Sequence, residues 1–379
     1  MPGQFLFGIE EEYFVNDNEK RNVARSGVHE LISLCRQHFP KEVQREMLEP
    51  QLEVATAPSE DFKEVRRSLS GLRQGISALA AERGLSIIAA GTHPNAVWSK
   101  IRTTSQSRYD KLIHDLQMVG SRNMICGMHV HVEVPDVDQR IDLMNRVQPY
   151  LPLLFALSTS SPFWQAQKTG LLGYRLAANR ELPRSGLPEF FKDNADYQNY
   201  VDTLVSARII EDSSFIWWLV RPSEHYPTLE LRIADSCTRV DDVMAIAALY
   251  RCLIRHLVCD KALNASFTGA TRAIIEENCW RAQRYGIHGS FVDERTKSAR
   301  DVKDILEETL QMLEGDADAL GCRDELDLCR WIVARGTSAD QQLKVFTEGL
   351  GSGNARQDAL SAVVDWLAAE TAGTTQILQ

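Results

Sequence analysis

FLFGIEEEYFV, Phe5 to Val15, sets three carboxylates inside a run of aromatic and aliphatic residues. Pro2-Gly3 precedes it and Asn16-Asp17-Asn18 follows, so the run reads as a strand between breaker clusters. A strand sends alternate side chains to opposite faces. Glu10 and Glu12 therefore share one face, and Glu11 takes the other. Two carboxylates side by side repel unless a cation lies between them. The pair predicts half of a metal site. Glu11 is then either dispensable or a member of a structural ion pair.

Three later segments supply candidates for the other half. Met47 to Ala57 has strand period, with Leu48, Leu52 and Val54 on one face and Glu49, Gln51 and Glu53 on the other. GMHVHVEV, Gly127 to Val134, is the cleanest alternation in the chain. It puts His129, His131 and Glu133 opposite Val130, Val132 and Val134. TLELRIA, Thr228 to Ala234, puts Glu230 and Arg232 opposite Leu229, Leu231 and Ile233. If these strands are neighbours, their charged faces must meet water or cations, because unpaired buried charge is prohibitive. Carboxylates with an imidazole suit Mg²⁺ or Mn²⁺, whereas zinc favours more His or Cys. Such ions at a sheet surface are what an ATP-using enzyme needs to offset charge on phosphate. No G-x-x-x-x-G-K-[ST] is present, so an ATP site here is not a P-loop. His129-x-His131 with carboxylates also permits a metal-dependent hydrolase. The other histidines lack matching spacing, with His93 in GTHP the main exception.

Bulk composition excludes several classes. The 379 residues are 44% hydrophobic and 25% charged, an ordinary globular balance. The net charge of −10, without a run of five Lys or Arg, argues against nucleic acid as a partner. Eight scattered cysteines with no C-x-x-C are neither a disulfide framework nor a zinc ribbon. The apolar stretch Tyr150–Trp164 is broken by Pro152, Ser158, Ser160, Ser161 and Pro162, too interrupted to span a bilayer with about twenty apolar residues. The N-terminus has no signal-like core. A cytoplasmic protein without a membrane partner is expected.

Between the strands, helices are predicted over Ser26–Phe39, from Ser59 to about Gly84 with Ser59 as cap, near Asp110–Val119, and over Tyr197–Ser206. Asp136–Leu157 is helical with a break at Pro149 and Pro152. Asp241 to Phe267 predicts a long core helix, and helical pattern resumes from Ala270 to Ala369. Ser158–Pro188 is too long for a passive loop and is expected to close over a site as a lid.

The motifs FGIEEEYFV, QLEVATAP, GTHPNAVW, RYDKL, GMHVHVEV, YLPLLFALSTSSPFW, RPSEHYPTLELRIAD and ENCWRAQRYGI resemble, in this order, the carboxylate–amine ligases of the glutamate–cysteine ligase type 2 group. The resemblance implies an α+β fold similar to the glutamine synthetase catalytic domain, a curved antiparallel sheet of about six strands flanked by helices. It implies one catalytic domain over 1–379, with 296–372 a helical C-terminal part. It also implies a reaction: ATP phosphorylates a substrate carboxylate, glutamate by preference, and an amine displaces phosphate to form an amide. The cofactors implied are ATP and Mg²⁺, with Mn²⁺ as substitute. The partners are a small amino acid and an amine, and a homodimer or larger homo-oligomer fits the family.

By the same resemblance Glu10, His129 and Glu230 hold the metal on the phosphates, and Glu12 and Glu53 the metal nearer the acyl group. His131, Glu49 and Glu133 are second choices. Arg232, Arg221 and Arg175 are candidate clamps for phosphate or substrate carboxylate, which guanidinium binds bidentately. Arg281 and Arg284 of WRAQRYG are candidate nucleotide contacts. The segment after SPFW reads QAQKTG, with Lys168 where relatives carry aspartate. That departure bears on the acceptor, and a nucleotide-binding member that has lost ligation is a further alternative.

Overall fold

A computed structural model describes residues 5–100 and 107–373. Its organising element is β1, Phe7–Asp17, whose eleven residues are long enough to change partners along their course. Strands β2 (Asn22–Val23), β3 (Val43–Arg45), β4 (Gln51–Ala55), β5 (Leu85–Ile88) and β6 (Met128–Glu133) surround it. β4 and β6 flank β1, both antiparallel. The last half of β1 also pairs with β2 and β5.

Register decides which side chains meet. Glu10 lies opposite His129, and Glu12 opposite Glu53. Directly opposed residues of an antiparallel pair share a face, so these groups line one side of the sheet. On the other side Ile9, Val54, Val130 and Val132 are fully buried. Against them pack helix α1 (Val28–His38) and helix α2 (Phe62–Ala81). The stripe Val65, Leu69, Leu72, Ile76 and Ala80 of α2 recurs at three- and four-residue spacing and is buried. The α2 cap is Asp61 rather than the expected Ser59: Asp61 accepts the Lys63 N–H at 2.8 Å. Ser59 hydroxyl instead accepts the Asp61 N–H at 3.1 Å, one step before the helix.

Helices α3 (Ser107–Leu116) and α4 (Met118–Arg122) replace the single helix expected near Asp110–Val119, because Gln117 has a positive φ of 52°. Arg102 lies outside the described residues. Helices α5 (Val137–Val147) and α6 (Leu151–Ser158) are separated by a 3₁₀ turn at Gln148–Tyr150, where Pro149 and Pro152 cannot donate to a continuous helix.

The segment expected to be a lid begins as core, and its later residues Arg175, Asn179 and Leu182 line the polar side of the sheet. Ser158 to Trp164 is buried throughout. Ser160 N and Ser161 Oγ donate to Asp235 Oδ2 at 2.9 and 2.6 Å. Thr159 Oγ1 donates to Thr337 Oγ1 at 3.0 Å. The serines and threonines that suggested a loop satisfy each other inside the core. The rest of this segment forms the hairpin β7 (Phe163–Trp164) and β8 (Gln167–Lys168), helix α7 (Tyr174–Asn179), and β9 (Ser185–Gly186). Lys168 is exposed on that hairpin.

Helix α8 (Asn194–Ser206) precedes β10 (Trp217–Trp218), β11 (Val220–Pro222) and β12 (Thr228–Leu231). The main sheet thus has eight strands, with the path β11-β12-β6-β1-β4-β3 and β2 and β5 also on β1. Helix α9 (Val240–Cys259) is buried along most of its length. It ends earlier than expected because Asp260 Oδ1 accepts the N–H groups of Ala262 and Leu263, turning the chain. After α10 (Gly269–Tyr285) the expected helical run is interrupted by a hairpin, β13 (Ser290–Asp293) and β14 (Ser298–Asp301). Asp293 Oδ1 accepts from Arg295 and Thr296 N–H at 2.8 and 3.3 Å, which makes the turn. The chain then continues through α11 (Val302–Met312), α12 (Glu314–Leu320), α13 (Arg323–Arg335), α14 (Ser338–Gly351) and α15 (Arg356–Ala372). The eight cysteines are free thiols, and among the described residues no helix is long and apolar enough to cross a membrane.

His93 of GTHP is structural. It is fully buried, accepts the Asn95 N–H through Nδ1 at 3.2 Å, and faces Asn16 Oδ1 through Nε2 at 3.2 Å. Both nitrogens are used by the neutral ring, and burial pushes its pKa from 6.5 to about 3. Between those values the unfolded chain takes up a proton that the native ring refuses. Stability therefore falls as pH falls through that window, by up to about 1.4 kcal/mol per pH unit for one proton. Denaturant midpoints measured between pH 6 and 4 are expected to show that slope, and His93→Asn to flatten it by one proton. An unchanged slope in the variant would contradict the assignment.

Candidate active site

The polar face of the sheet floors a cleft of roughly 320 Å³. Glu10, Glu12, Glu53, His129, His131, Glu230, Arg175, Arg221 and Arg232 all line it. Pairing explains how five strands bring most of these groups to one place; Arg232 directly follows β12, and Arg175 comes from α7. β12 sets Glu230 opposite His131, and β11 sets Arg221 opposite Glu230.

The acids form two clusters on either side of β1. In the first, ligand atoms of Glu10, His131 and Glu230 lie within 4.8 Å of one another. His131 Nε2 is 3.4 Å from Glu10 Oε1 and 3.9 Å from Glu230 Oε1. In the second, Glu12, Glu46 and Glu53 meet the same limit. His129 stands between the clusters, its Nδ1 3.4 Å from Glu10 and 3.6 Å from Glu230, its Nε2 3.9 Å from Glu12. Both imidazoles thus lie 3.4 to 3.9 Å from Glu10 and Glu230, and either can serve this cluster.

Electrostatics separates the two clusters. Burial would raise Glu10, but the neighbouring imidazoles of His129 and His131 outweigh it and hold its carboxyl well below the usual range. Glu230 is likewise held well below, against burial, by Arg232 and Arg221. In the second cluster burial and mutual repulsion act together. Glu12 is pushed up to about 7 by burial and Glu46, and Glu53 is pushed well above its ordinary value by burial, Glu46 and Glu10. Burial and Arg232 lower His129 to about 4, so it is neutral. Burial opposes protonation of His131 too, yet Glu10 and Glu230 raise it.

These residues fit divalent cations. The Nε2 atoms of His129 and His131 are buried without a hydrogen-bond partner, and a buried lone pair without a partner is costly. The crowded carboxylates of the second cluster are costly for the same reason. Oxygen-rich sites with at most one imidazole each suit Mg²⁺ or Mn²⁺.

The arginines divide by partner. Arg221 Nε donates to Glu230 Oε2 at 2.7 Å and its NH1 to Ile216 O at 2.7 Å. Arg232 NH1 pairs with the other oxygen of Glu230. Arg175, buried, reaches the carbonyls of Arg232 and Ile233 at 3.3 Å, and its Nε has no partner. It passes beneath Gly127, where an added Cβ would sit 2.2 Å from its NH2.

Four sequence candidates fall elsewhere. Arg281 donates to the carbonyl and hydroxyl of Ser290, bracing the β13–β14 hairpin. Arg284 stacks on Tyr285, 5.0 Å from its ring centre. Neither lines the cleft. Glu133 is at the far end of β6, its carboxylate 3.5 Å from Leu6 N. Glu49 is outside the cleft because Pro50 and the turn before β4 break the alternation that was extended back to Met47. Glu46, on the far side of that turn, takes the place. It sits five residues before Gln51, and only a strand–turn–strand reading of QREMLEPQLEV would have found it. Lys168 and its hairpin are outside the cleft as well.

Residues 6–365 match glutamate-cysteine ligase family 2 (GCS2). A Bradyrhizobium diazoefficiens protein named "Putative glutamate–cysteine ligase 2" is 46% identical over 368 residues, 97% of this chain and 84% of that protein. A Rhodospirillum rubrum protein of the same name is 45% identical over 371 residues, 97% and 95% of the two chains. Among solved structures, a Francisella tularensis glutamate–cysteine ligase in complex with AMP superposes with a TM-score of 0.71 at 13% identity, covering 97% of this chain and 88% of that one. A bifunctional glutathione synthetase from Pasteurella multocida gives 0.69 at 14% identity, over 97% and 53%. At these identities the likeness is one of fold. The α+β class, an antiparallel sheet flanked by helices, agrees with the expectation from sequence, with eight strands where about six were expected.

Proposed function

The chain belongs to glutamate–cysteine ligase family 2, and from that premise we propose that it is an ATP- and Mg²⁺-dependent carboxylate–amine ligase. It forms an amide through an acyl phosphate, with glutamate as the acid. The observation that carries the reading is the pair of three-ligand clusters that share β1, at Glu10 on one side and Glu12 on the other. Bound Mg²⁺ would offset charge on the phosphates and on the acyl oxygens.

This chain's residues do the rest. Glu10 and Glu230, with His131 or His129, would hold the phosphate-side cation. Glu12, Glu46 and Glu53 would hold the acyl-side cation. Arg221 and Arg232 locks both Glu230 oxygens in position and leaves further guanidinium N–H groups for phosphate. Arg175, with its unpartnered Nε, is placed to hold the α-carboxylate of the acid substrate. β1, in the middle of the sheet, supplies one member of each cluster, Glu10 and Glu12.

Phosphate release from ATP is expected to require Mg²⁺, glutamate and an amine together, with the amide identified by mass. Stoichiometric zinc and no magnesium requirement would instead mark a hydrolase. Nucleotide binding without turnover across a wide acid and amine panel would mark a family member that has lost ligation.

A further inference from the structure

Arg221 and Arg232 are fixed in the cleft by a carboxylate, Glu230. Arg175 is fixed differently. It is 5% exposed, its NH1 rests on the carbonyls of Arg232 and Ile233 at 3.3 Å, and its Nε has no partner. Carbonyl contacts of that length leave N–H groups for an anion, but they hold the side chain weakly. Its direction therefore has to come from its backbone.

That backbone is anchored inside the protein. Ser161 and Gly173 form a parallel bridge, with Ser161 N donating to Leu172 O and Tyr174 N to Ser161 O, both at 3.0 Å. Ser161 Oγ accepts the Arg175 N–H at 2.9 Å and donates to Asp235 Oδ2 at 2.6 Å. The same Asp235 oxygen accepts the Ser160 N–H at 2.9 Å. From the other side Leu172 N and Gly173 N donate to Gln283 O at 2.8 and 3.1 Å, so the glutamine of WRAQRYG braces this turn.

Asp235 and Ser161 are fully buried, and neither lines the cleft. A Cβ added at Gly91 would sit 2.6 Å from Asp235 Cγ, and one added at Gly127 2.2 Å from Arg175 NH2. Gly127 bridges Asp235 and donates its N–H to Glu12 Oε2 at 2.5 Å. Asp235, Gly127 and Arg175 therefore form one packed block that ends at the second cluster.

Resting on the ligase reading above, we infer that Asp235 is a positioning residue for the acid substrate: through the Ser161 hydroxyl it sets Arg175 at the angle at which the guanidinium receives the substrate's α-carboxylate. A hydroxyl can turn either way. A carboxylate acceptor fixes where its hydrogen points and leaves a lone pair for the Arg175 N–H, and a charged acceptor makes that bond strong. Asp235 is also a negative charge near enough to favour the charged guanidinium. Bidentate contact between guanidinium and carboxylate depends on orientation, so a small displacement of Arg175 weakens the grip on the acid and leaves the nucleotide alone.

The full chain is assayed with Mg-ATP, glutamate and hydroxylamine, whose nitrogen displaces phosphate from the acyl carbon and gives a hydroxamate whatever the natural amine. Ser161→Ala is expected to raise KM for glutamate by about 10-fold or more, the effect of misplacing a binding group by less than about 1 Å. KM for ATP is expected to stay within about 2-fold of wild type, because only binding of the acid is lost. Asp235→Ala is expected to act the same way. Asp235→Asn keeps an oxygen for the Ser160 N–H and the Ser161 hydroxyl and is expected to raise KM for glutamate less. A thermal midpoint checks each fold. Ser161→Ala removes a single oxygen atom; should its midpoint fall, the two Asp235 variants carry the same comparison. An unmoved KM for glutamate, an equal rise in KM for ATP, or equal effects of Asn and Ala at position 235 overturns the positioning role alone. No hydroxamate and no phosphate from the wild type overturns the ligase reading and the inference with it.

Discussion

Glu10→Ala is expected to yield a folded protein whose turnover has fallen by about 10³-fold or more, the scale on which losing an electrostatic anchor of the transition state is felt. Glu10 is the one carboxylate of the first cluster carried by the central strand, opposite His129 and within 3.4 Å of both imidazoles. Its side chain is 23% exposed and lies on the polar face of the sheet. Removing it gives up its contacts with His129 and His131 but relieves repulsion on Glu53, so the loss of stability is partly offset. Glu230→Ala belongs to the same test but carries more risk to the fold, because Arg221 and Arg232 both rest on that carboxylate. Steady-state phosphate release, with Mn²⁺ affinity by calorimetry as a second readout, measures the effect. Wild-type turnover in both variants would remove the assignment.

Glu11→Ala, one residue away, is expected to do the opposite: it should cost about 3–5 kcal/mol of stability, the penalty for leaving a buried charge without its partner. Glu11 is fully buried on the aliphatic face. Its Oε1 is 2.5 Å and its Oε2 3.0 Å from the Arg73 guanidinium, itself 1% exposed. Tyr13 hydroxyl donates to the same carboxylate. Arg73 also donates to the carbonyls of Cys237 and Thr238, both at 2.7 Å, so the pair ties β1 and α2 to the segment before α9. The double variant Glu11→Met with Arg73→Met should be less destabilised than either single variant, because it leaves no uncompensated charge. Equilibrium denaturation reads both effects. A loss below about 1 kcal/mol in Glu11→Ala would show that the pair is not a structural tie.

These neighbours show what was legible in advance. The period of a strand is two, so the separation of Glu10 and Glu12 from Glu11 needed nothing beyond local sequence. The same parity placed Glu53, His129, His131, Glu230 and Arg232 on the polar side. It failed where its premise failed. Pro50 ends the alternation, so Glu49 was credited with a place that Glu46 occupies. Ser158–Trp164 looked like a loop because its serines and threonines are polar, and only their distant partners Asp235 and Thr337 make them core. Arg281 and Arg284 come from a motif, yet their helix delivers Arg281 to a hairpin and Arg284 to the ring of Tyr285, and neither to the cleft.

By itself the sequence determined which face a side chain takes wherever the strand is unbroken, since that is a property of consecutive residues. It also determined the fold class and the acidic, cation-seeking character of one sheet face. Which of those faces touch, and in what register, depends on pairings between residues far apart in the chain, as Glu10 with His129 and His131 with Glu230. Only the tertiary structure decided that Glu11 needs Arg73, that both imidazoles reach Glu10 and Glu230, and that Glu46 joins Glu12 and Glu53. Local periodicity sets direction, but distance is set by packing, and both metal affinity and the cost of a buried charge depend on distance.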